Sequence, residues 1–228
     1  MIEIRNLSKR FDSLVVLDDV SFRVNDASLV VVLGPSGTGK TVLLKAMLGL
    51  LPVDSGEVLF DGRKIQTATE KEIYDIRKQV GFVFQGTALF DSMNVADNIA
   101  LPLCEHTTLS AKEIRERLCS LLEVVGMAGK ANLYPQSLSG GMKRLVAVAR
   151  ALALNPKYLF YDEPTTGLDP IMTDRVVGLI KNLKKSHTSS GIVVTHDLET
   201  AKAVGDEIYM LKKGRISRLK KIEKELYD

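Results

Sequence analysis

Leu29-Val30-Val31-Val32-Leu33, then Gly34-Pro35-Ser36-Gly37-Thr38-Gly39-Lys40-Thr41, then Val42-Leu43-Leu44-Lys45-Ala46-Met47 run end to end, and this stretch decides the fold. The first block is apolar, β-branched and closed by a glycine, the pattern of a strand buried in a parallel sheet. The second matches G-x-x-x-x-G-K-[ST], a loop built to hold phosphate. The third predicts a short amphipathic helix opening at Lys40, with Leu43, Leu44, Met47 and Leu48 on one side. Gly34, Gly37 and Gly39 are expected to allow backbone angles that a Cβ forbids, so that successive N–H groups converge on phosphate oxygens. The helix N-terminus adds unpaired donors and partial positive charge. Lys40 supplies a full charge to β- and γ-phosphates, and the Thr41 hydroxyl is a candidate Mg²⁺ ligand. A chance glycine turn is the poorer reading, because the loop sits between a strand and a helix. Gly34 through Thr41 is therefore the candidate nucleotide site.

Three further apolar runs end in polar residues. Val80-Gly81-Phe82-Val83-Phe84 ends at Gln85, Lys157-Tyr158-Leu159-Phe160-Tyr161 at Asp162-Glu163, and Gly191-Ile192-Val193-Val194-Thr195 at His196. In an open α/β sheet, ligands sit outside the carboxyl ends of the strands, so these residues are expected around one crevice. Asp162 is placed on the metal and Glu163 as the base that polarises the attacking water. A lone histidine is usually structural, but the shared strand-end position favours a γ-phosphate contact for His196.

Around this core the pattern changes twice. Ile2 and Ile4, then Val20, Phe22 and Val24, alternate like half-buried strands; Glu57 to Phe60 is a third strand, and Asp61-Gly62 signals a hairpin. Antiparallel strands are thus expected beside the nucleotide core. Thr69 and Glu72 have capping-box spacing ahead of a helix ending near Lys78. From Gly86 to about Asn155 the period becomes helical. Ser110 and Glu113 form a second capping box, Ile114, Leu118, Leu121, Leu122 and Val125 an apolar face, and Gly126 a stop. Ser139-Gly140-Gly141 opens a helix whose face includes Leu145, Val148, Ala149 and Leu152, a second place where N–H groups could hold an anion. Ile171 to Lys185 reads as a helix, Glu207 to Leu211 and Arg215 to Leu219 as strands, and residues 220–226 as a short charged helix.

Composition narrows the class. A chain of 228 residues with 45% hydrophobic and 26% charged residues suits one large soluble domain. A net charge of +3 is too small to argue for nucleic acid. Cys104 and Cys119 have neither metal nor redox spacing, which suggests a reducing compartment. No apolar run approaches the roughly 18 residues of a membrane span, and the start lacks a signal-peptide pattern. The chain is expected in the cytoplasm, with any membrane role reached through a partner.

Taken together these stretches resemble the ATP-binding subunits of ABC transporters along the whole chain. Gly34 to Thr41 looks like Walker A, Tyr158 to Glu163 like Walker B, Gln85 like the Q-loop and Leu138-Ser139-Gly140-Gly141 like the signature. Leu168-Asp169 resembles the D-loop, His196 the switch histidine, and Phe11 the aromatic that stacks on adenine. The resemblance implies an α/β fold: a P-loop NTPase core of mainly parallel sheet, an antiparallel β-subdomain, and a helical subdomain inserted at about 86–155 of a single 1–228 domain. It implies ATP and Mg²⁺, with Thr41, Gln85 and Asp162 on the metal and Glu163, His196 and Gln85 in catalysis. It further implies a head-to-tail dimer in which each ATP lies between one P-loop and the partner's Ser139-Gly140-Gly141, with Asp169 nearby and transmembrane permease subunits driven by closure.

Residues 84–98 with Leu101-Pro102-Leu103 and Glu105-His106-Thr107, and Met142 where most relatives carry Gln, are similar to the Mla/Mce-type phospholipid transporters. That implies lipid cargo, an Mce-domain partner and a place on the cytoplasmic face of the inner membrane. Leu145 departs from the arginine usual in the family, and Thr165-Thr166-Gly167-Leu168 is nearer the general ABC form. An importer of amino acids or ions shares every catalytic motif. A non-transport ABC ATPase, such as an iron–sulfur assembly scaffold, is the reading from another class. A P-loop kinase needs neither Ser139-Gly140-Gly141 nor His196.

Overall fold

The computed structural model describes residues 1–186 and 190–219. In chain order the elements are β1 (Ile2–Phe11), β2 (Leu14–Val24), β3 (Leu29–Leu33), α1 (Lys40–Met47), β4 (Ser55–Phe60), β5 (Arg63–Lys64), α2 (Glu70–Lys78) and β6 (Val80–Val83). They continue with α3 (Val95–His106), α4 (Ala111–Val124), α5 (Gly140–Ala151), β7 (Tyr158–Asp162), α6 (Pro170–Ser186), β8 (Ser190–Thr195), α7 (Leu198–Val204), β9 (Glu207–Lys212) and β10 (Arg215–Arg218).

A six-stranded sheet of order β10-β9-β3-β8-β7-β6 carries the nucleotide loop; only β10 runs antiparallel to its neighbour. β3 is buried at all five positions because both faces of this sheet are covered. Its side chains alternate between two cores. Leu29, Val31 and Leu33 pack with residues of α3, α4, α5 and α6, and Val30 and Val32 pack with α1 and the antiparallel strands. β7 divides in the same way, with Leu159 and Tyr161 on the helical side and Tyr158 and Phe160 on the other.

A four-stranded antiparallel sheet, β2-β1-β4-β5, forms the second layer. Ile2 pairs with Val24 and Phe60, and Ile4 with Phe22 and Val58, so the expected alternation places one apolar face toward α1. Asp61 and Gly62 both have positive φ, 49° and 80°, and connect β4 to β5 by the two-residue turn their types favour.

Between β6 and β7 lie α3, α4 and α5. They have no core of their own: Leu103, Leu121 and Leu122 join Leu145, Val148, Val31 and Tyr161 in one apolar cluster. Both capping boxes form as read, Thr69 with Glu72 and Ser110 with Glu113, and Gly126 takes φ 65° just past α4. Two strand ends differ from the sequence reading: β6 stops at Val83 and leaves Phe84 outside the ladder, and β10 stops at Arg218. α3 runs on through Pro102. The charged helix expected over 220–226 lies outside the described residues. Among the described residues, no helix is long and apolar enough to cross a membrane.

Candidate active site

Strand register sets the geometry of the site. Leu33 lies opposite Thr195, Asp162 opposite Val194 and Val83 opposite Tyr161. The residues that follow each strand therefore emerge at one edge: Gly34, His196, Glu163 and, beyond Phe84, Gln85. Two bridging bonds lock that level, Gly34 N to Thr195 O at 3.1 Å and Glu163 N to Val194 O at 2.9 Å.

A cleft of about 390 Å³ opens there, within the range of small-molecule sites. Of the residues singled out in the sequence, Phe11, Ser36, Gly37, Gly39, Lys40, Thr41, Gln85, Glu163 and His196 line it. Gly34, Pro35, Thr38 and Asp162 do not line it, and the first three hold the loop: Thr38 Oγ1 donates to Pro35 O at 2.9 Å, and the Lys40 ammonium donates to Gly34 O at 2.7 Å and Pro35 O at 2.9 Å. The glycines serve different needs. Gly37 and Gly39 take φ 80° and 98°, which only glycine adopts without strain. Gly34 does not: its φ is outside the left-handed region, and a Cβ there would meet Leu211 O at 2.6 Å. Space, not backbone angle, requires glycine at that position.

The acidic pair separates into two environments. Thr41 Oγ1 donates to the Asp162 carboxylate at 2.9 and 3.1 Å, and burial raises the acid's pKa against that hydrogen bond. Glu163, at φ 48°, is turned into the cleft and bound on both oxygens. Its Oε1 is 3.1 Å from Lys40 Nζ; its Oε2 accepts from Thr166 Oγ1 at 3.0 Å and lies 2.9 Å from His196 Nδ1. Lys40 and Glu163 are almost fully buried, so this pair escapes most of the screening that weakens surface ion pairs. Phe11 is exposed at the cleft mouth with Lys9 Nζ 5.3 Å from its ring centroid, which places a cation on one ring face.

Oxygen donors at Thr41 and Asp162, converged within hydrogen-bond distance, suit a hard cation such as Mg²⁺. Among the described residues, no cluster of three His, Cys, Asp or Glu could enclose a metal without help.

Ser139, Gly140, Gly141 and Asp169 are not part of this cleft. Ser139 caps α5 by accepting from Met142 N at 3.3 Å, and Ser139 and Gly140 are exposed. Asp169 accepts from Met172 N at 3.0 Å, ahead of α6. Gly141 lies under α6, where a Cβ would meet the Met172 side chain at 2.4 Å. Three cleft residues escaped the sequence reading. Val16 and Val42 line the wall, and Thr166 binds Glu163. Thr166 was visible as part of a loop, but nothing local marked its hydroxyl as the partner of the acid three residues before it.

A phosphate loop after a buried parallel strand, with a carboxylate pair at the end of a neighbouring strand, defines a P-loop ATPase. The chain belongs to the ABC transporter family: the model described as "ABC transporter" matches residues 17–166. It is 41% identical to the intermembrane phospholipid transport ATP-binding protein MlaF of Haemophilus influenzae, over 92% of this chain and 80% of that protein. It is also 41% identical to the probable ribonucleotide transport ATP-binding protein Mkl of Mycobacterium leprae, over 92% of this chain but only 60% of that protein. With the methionine import ATP-binding protein MetN of Clostridioides difficile it shares 39% identity, over 95% of this chain and 67% of that protein. Among solved structures, the dimeric bacterial ABC transporter cassette MJ0796 superimposes with a TM-score of 0.88 at 32% identity, covering 97% of this chain and all of that one. A post-hydrolysis dimer of the same cassette, bound to ADP and Pi, gives a TM-score of 0.87 at 31% identity. The chain is thus an ABC transporter ATPase subunit.

Proposed function

We propose that two copies of this chain close head to tail on ATP, with Mg²⁺, and that closure and hydrolysis drive phospholipid movement through transmembrane permease subunits. The observation that carries the ATPase half is the Glu163 carboxylate, held between Lys40 and His196 at the phosphate loop. When triphosphate enters the loop, Lys40 Nζ exchanges Glu163 Oε1 for phosphate oxygens. The released carboxylate then accepts a proton from water, while His196 Nδ1 and Thr166 Oγ1 keep the other oxygen in place. Thr41 and Asp162, with Gln85, hold Mg²⁺, which supplies charge to offset the negative charge of the transferred phosphoryl group. Phe11 stacks on the base. Ser139, Gly140 and Gly141 present N–H donors to the partner's nucleotide, beside Asp169.

A groove of about 360 Å³ between α2, β6, α3 and α5 offers the permease its seat, with Phe82, Phe84 and Phe90 beside the cations Arg77, Lys78 and Arg150. Phospholipid cargo rests on the MlaF relative, and an Mce-domain partner on the resemblance over residues 84–107 alone. The MetN relative, nearly as similar, favours an amino-acid importer as the second reading. In either reading the subunit sits on the cytoplasmic face of the membrane through its permease. Purification from native membranes in mild detergent tests the cargo. Co-purifying permease, Mce-domain protein and phospholipid are expected; a permease with a solute-binding protein overturns lipid and leaves the ATPase reading standing.

A further inference from the structure

Arg144 lies on α5 with 4% of its surface exposed. Its Nη1 donates to Phe84 O at 2.6 Å, the carbonyl immediately before Gln85. Among the described residues its Nε is buried without a hydrogen-bond partner. An apolar side chain of similar length would fill the same space without that unmet donor, which costs about 1–3 kcal/mol. What arginine adds there is one charge-assisted bond to a loop carbonyl, together with a positive charge attracted by the Asp162 carboxylate. Six residues later on the same helix, Arg150 donates to Thr87 O at 2.9 Å and Ala88 O at 2.8 Å. Thr87 and Ala88 both have positive φ, 60° and 51°, a conformation non-glycine residues resist and neighbours must impose. Beyond them Asn98 fixes Phe90 through both its N–H and its carbonyl, at 2.8 and 3.1 Å.

Phe84 to Ala88 is therefore fastened to α5 at both ends by guanidinium groups. α5 begins at Gly140, so the helix that opens on Ser139-Gly140-Gly141 also carries the loop bearing Gln85. We propose that Arg144 is a positioning residue for hydrolysis: it makes the Gln85 loop a rigid outrigger of α5, so that Gln85 reaches the cleft in one position relative to the helix. Arg150 fixes the far side of the loop and lines the groove assigned above to the permease, so an acidic side chain docking there competes with Thr87 O and Ala88 O for the same fork. This deepens the proposed reading and rests on Gln85 acting in the cleft.

The test is a double-mutant cycle in steady-state ATPase, with thermal stability measured alongside. Arg144→Met removes the bond but keeps an apolar stem. The expected result is a kcat lower by about tenfold or more, a KM for MgATP within about twofold, and a Tm equal to or above that of the parent chain. Arg144→Lys, which keeps one donor, recovers most of the lost rate. In a Gln85→Ala background, Arg144→Met adds little further loss. Multiplying losses, a kcat that follows Tm, or no rescue by lysine overturns the proposal. A Gln85→Ala chain with parental kcat overturns it as well, and does so by removing Gln85 from the site while leaving Lys40 and Glu163 untouched. If Arg144→Met does not fold, Arg144→Gln, with and without Gln85→Ala, carries the same cycle. It is then expected to lose rate alone and to add little once Gln85 is gone.

Discussion

The molecule presents two glycine-rich helix N-termini, and they are built differently. At α1 the loop is buried at its two ends, Gly34 and Lys40, and open at Ser36 and Gly37; a lysine ammonium is folded back onto Gly34 O and Pro35 O, and two acids close in from the end of β7. At α5, Ser139 and Gly140 face solvent, and among the described residues no cation is hydrogen-bonded to the capping hydroxyl, which accepts from Met142 N. The first holds charge and chemistry together in one chain. The second offers only N–H dipoles, enough to hold a nucleotide bound elsewhere but too little to capture one. That asymmetry suits the isologous dimer proposed above, in which each copy would lend its second site to the other's nucleotide.

The contrast can be broken by substitution. Glu163→Gln, which keeps the shape of the side chain and removes its basicity, is expected to lower turnover about 10²- to 10⁴-fold while ATP still binds. Parental turnover in that variant removes Glu163 from the role of base. Lys40→Ala comes next. Loss of a charge-assisted contact worth about 1.5–3 kcal/mol lowers nucleotide affinity roughly 10- to 150-fold, measurable by titration with a fluorescent ATP analogue. Unchanged affinity contradicts the phosphate-loop assignment.

The same replacement made in both glycine sites sharpens the comparison. Gly39→Ala forces a Cβ onto φ 98° and within 2.6 Å of Val16 Cγ1, so a loss of about 2 kcal/mol in chemical denaturation is expected. Gly140→Ala meets nothing within 4 Å in the chain itself, and stability should stay equal or rise by up to about 1 kcal/mol. Its cost should appear only when a partner's nucleotide approaches. A Gly140→Ala chain that loses stability as a monomer contradicts an open second site.

The smallest effect lies outside both sites. Burial works against ionisation of Asp61, but hydrogen bonds from Lys157, the Met1 ammonium and Tyr158 prevail and lower its pKa from 3.8 to about 2. The folded value is depressed, so the contribution to stability is present above about pH 4 and is lost as pH falls toward 2. Asp61→Asn should flatten stability across that window and leave the neutral ATPase rate unchanged.

The sequence showed the strands and the order of the site well, because β3, β7 and β8 are buried on both faces and so read as unbroken apolar runs. Capping boxes were equally legible, being local contacts between residues three apart. What escaped notice was set by distance. Gly34 needs its glycine because of Leu211, and Thr166 matters because of how it meets Glu163 after a positive-φ turn. α3 was not resolved as a helix through Pro102, yet Asn94 caps its start and the buried Asn98 side chain binds Phe90, Met93 and Asn94, which together hold its first turn. α7 is seven residues long, too short to declare itself by periodicity. Arg144 lay in plain view after the signature, but only the fold brings it to Phe84 O.

The central claim is that ATP joins one chain's complete site to the other's incomplete one. Light scattering of Glu163→Gln with Mg²⁺ and ATP, with and without Ser139→Arg, tests it most directly. Twice the 25.1 kDa chain mass is expected for Glu163→Gln with ATP, and a single chain with ATP still bound once Ser139→Arg is added. A dimer that forms without nucleotide, or one that persists with ATP despite Ser139→Arg, would contradict it.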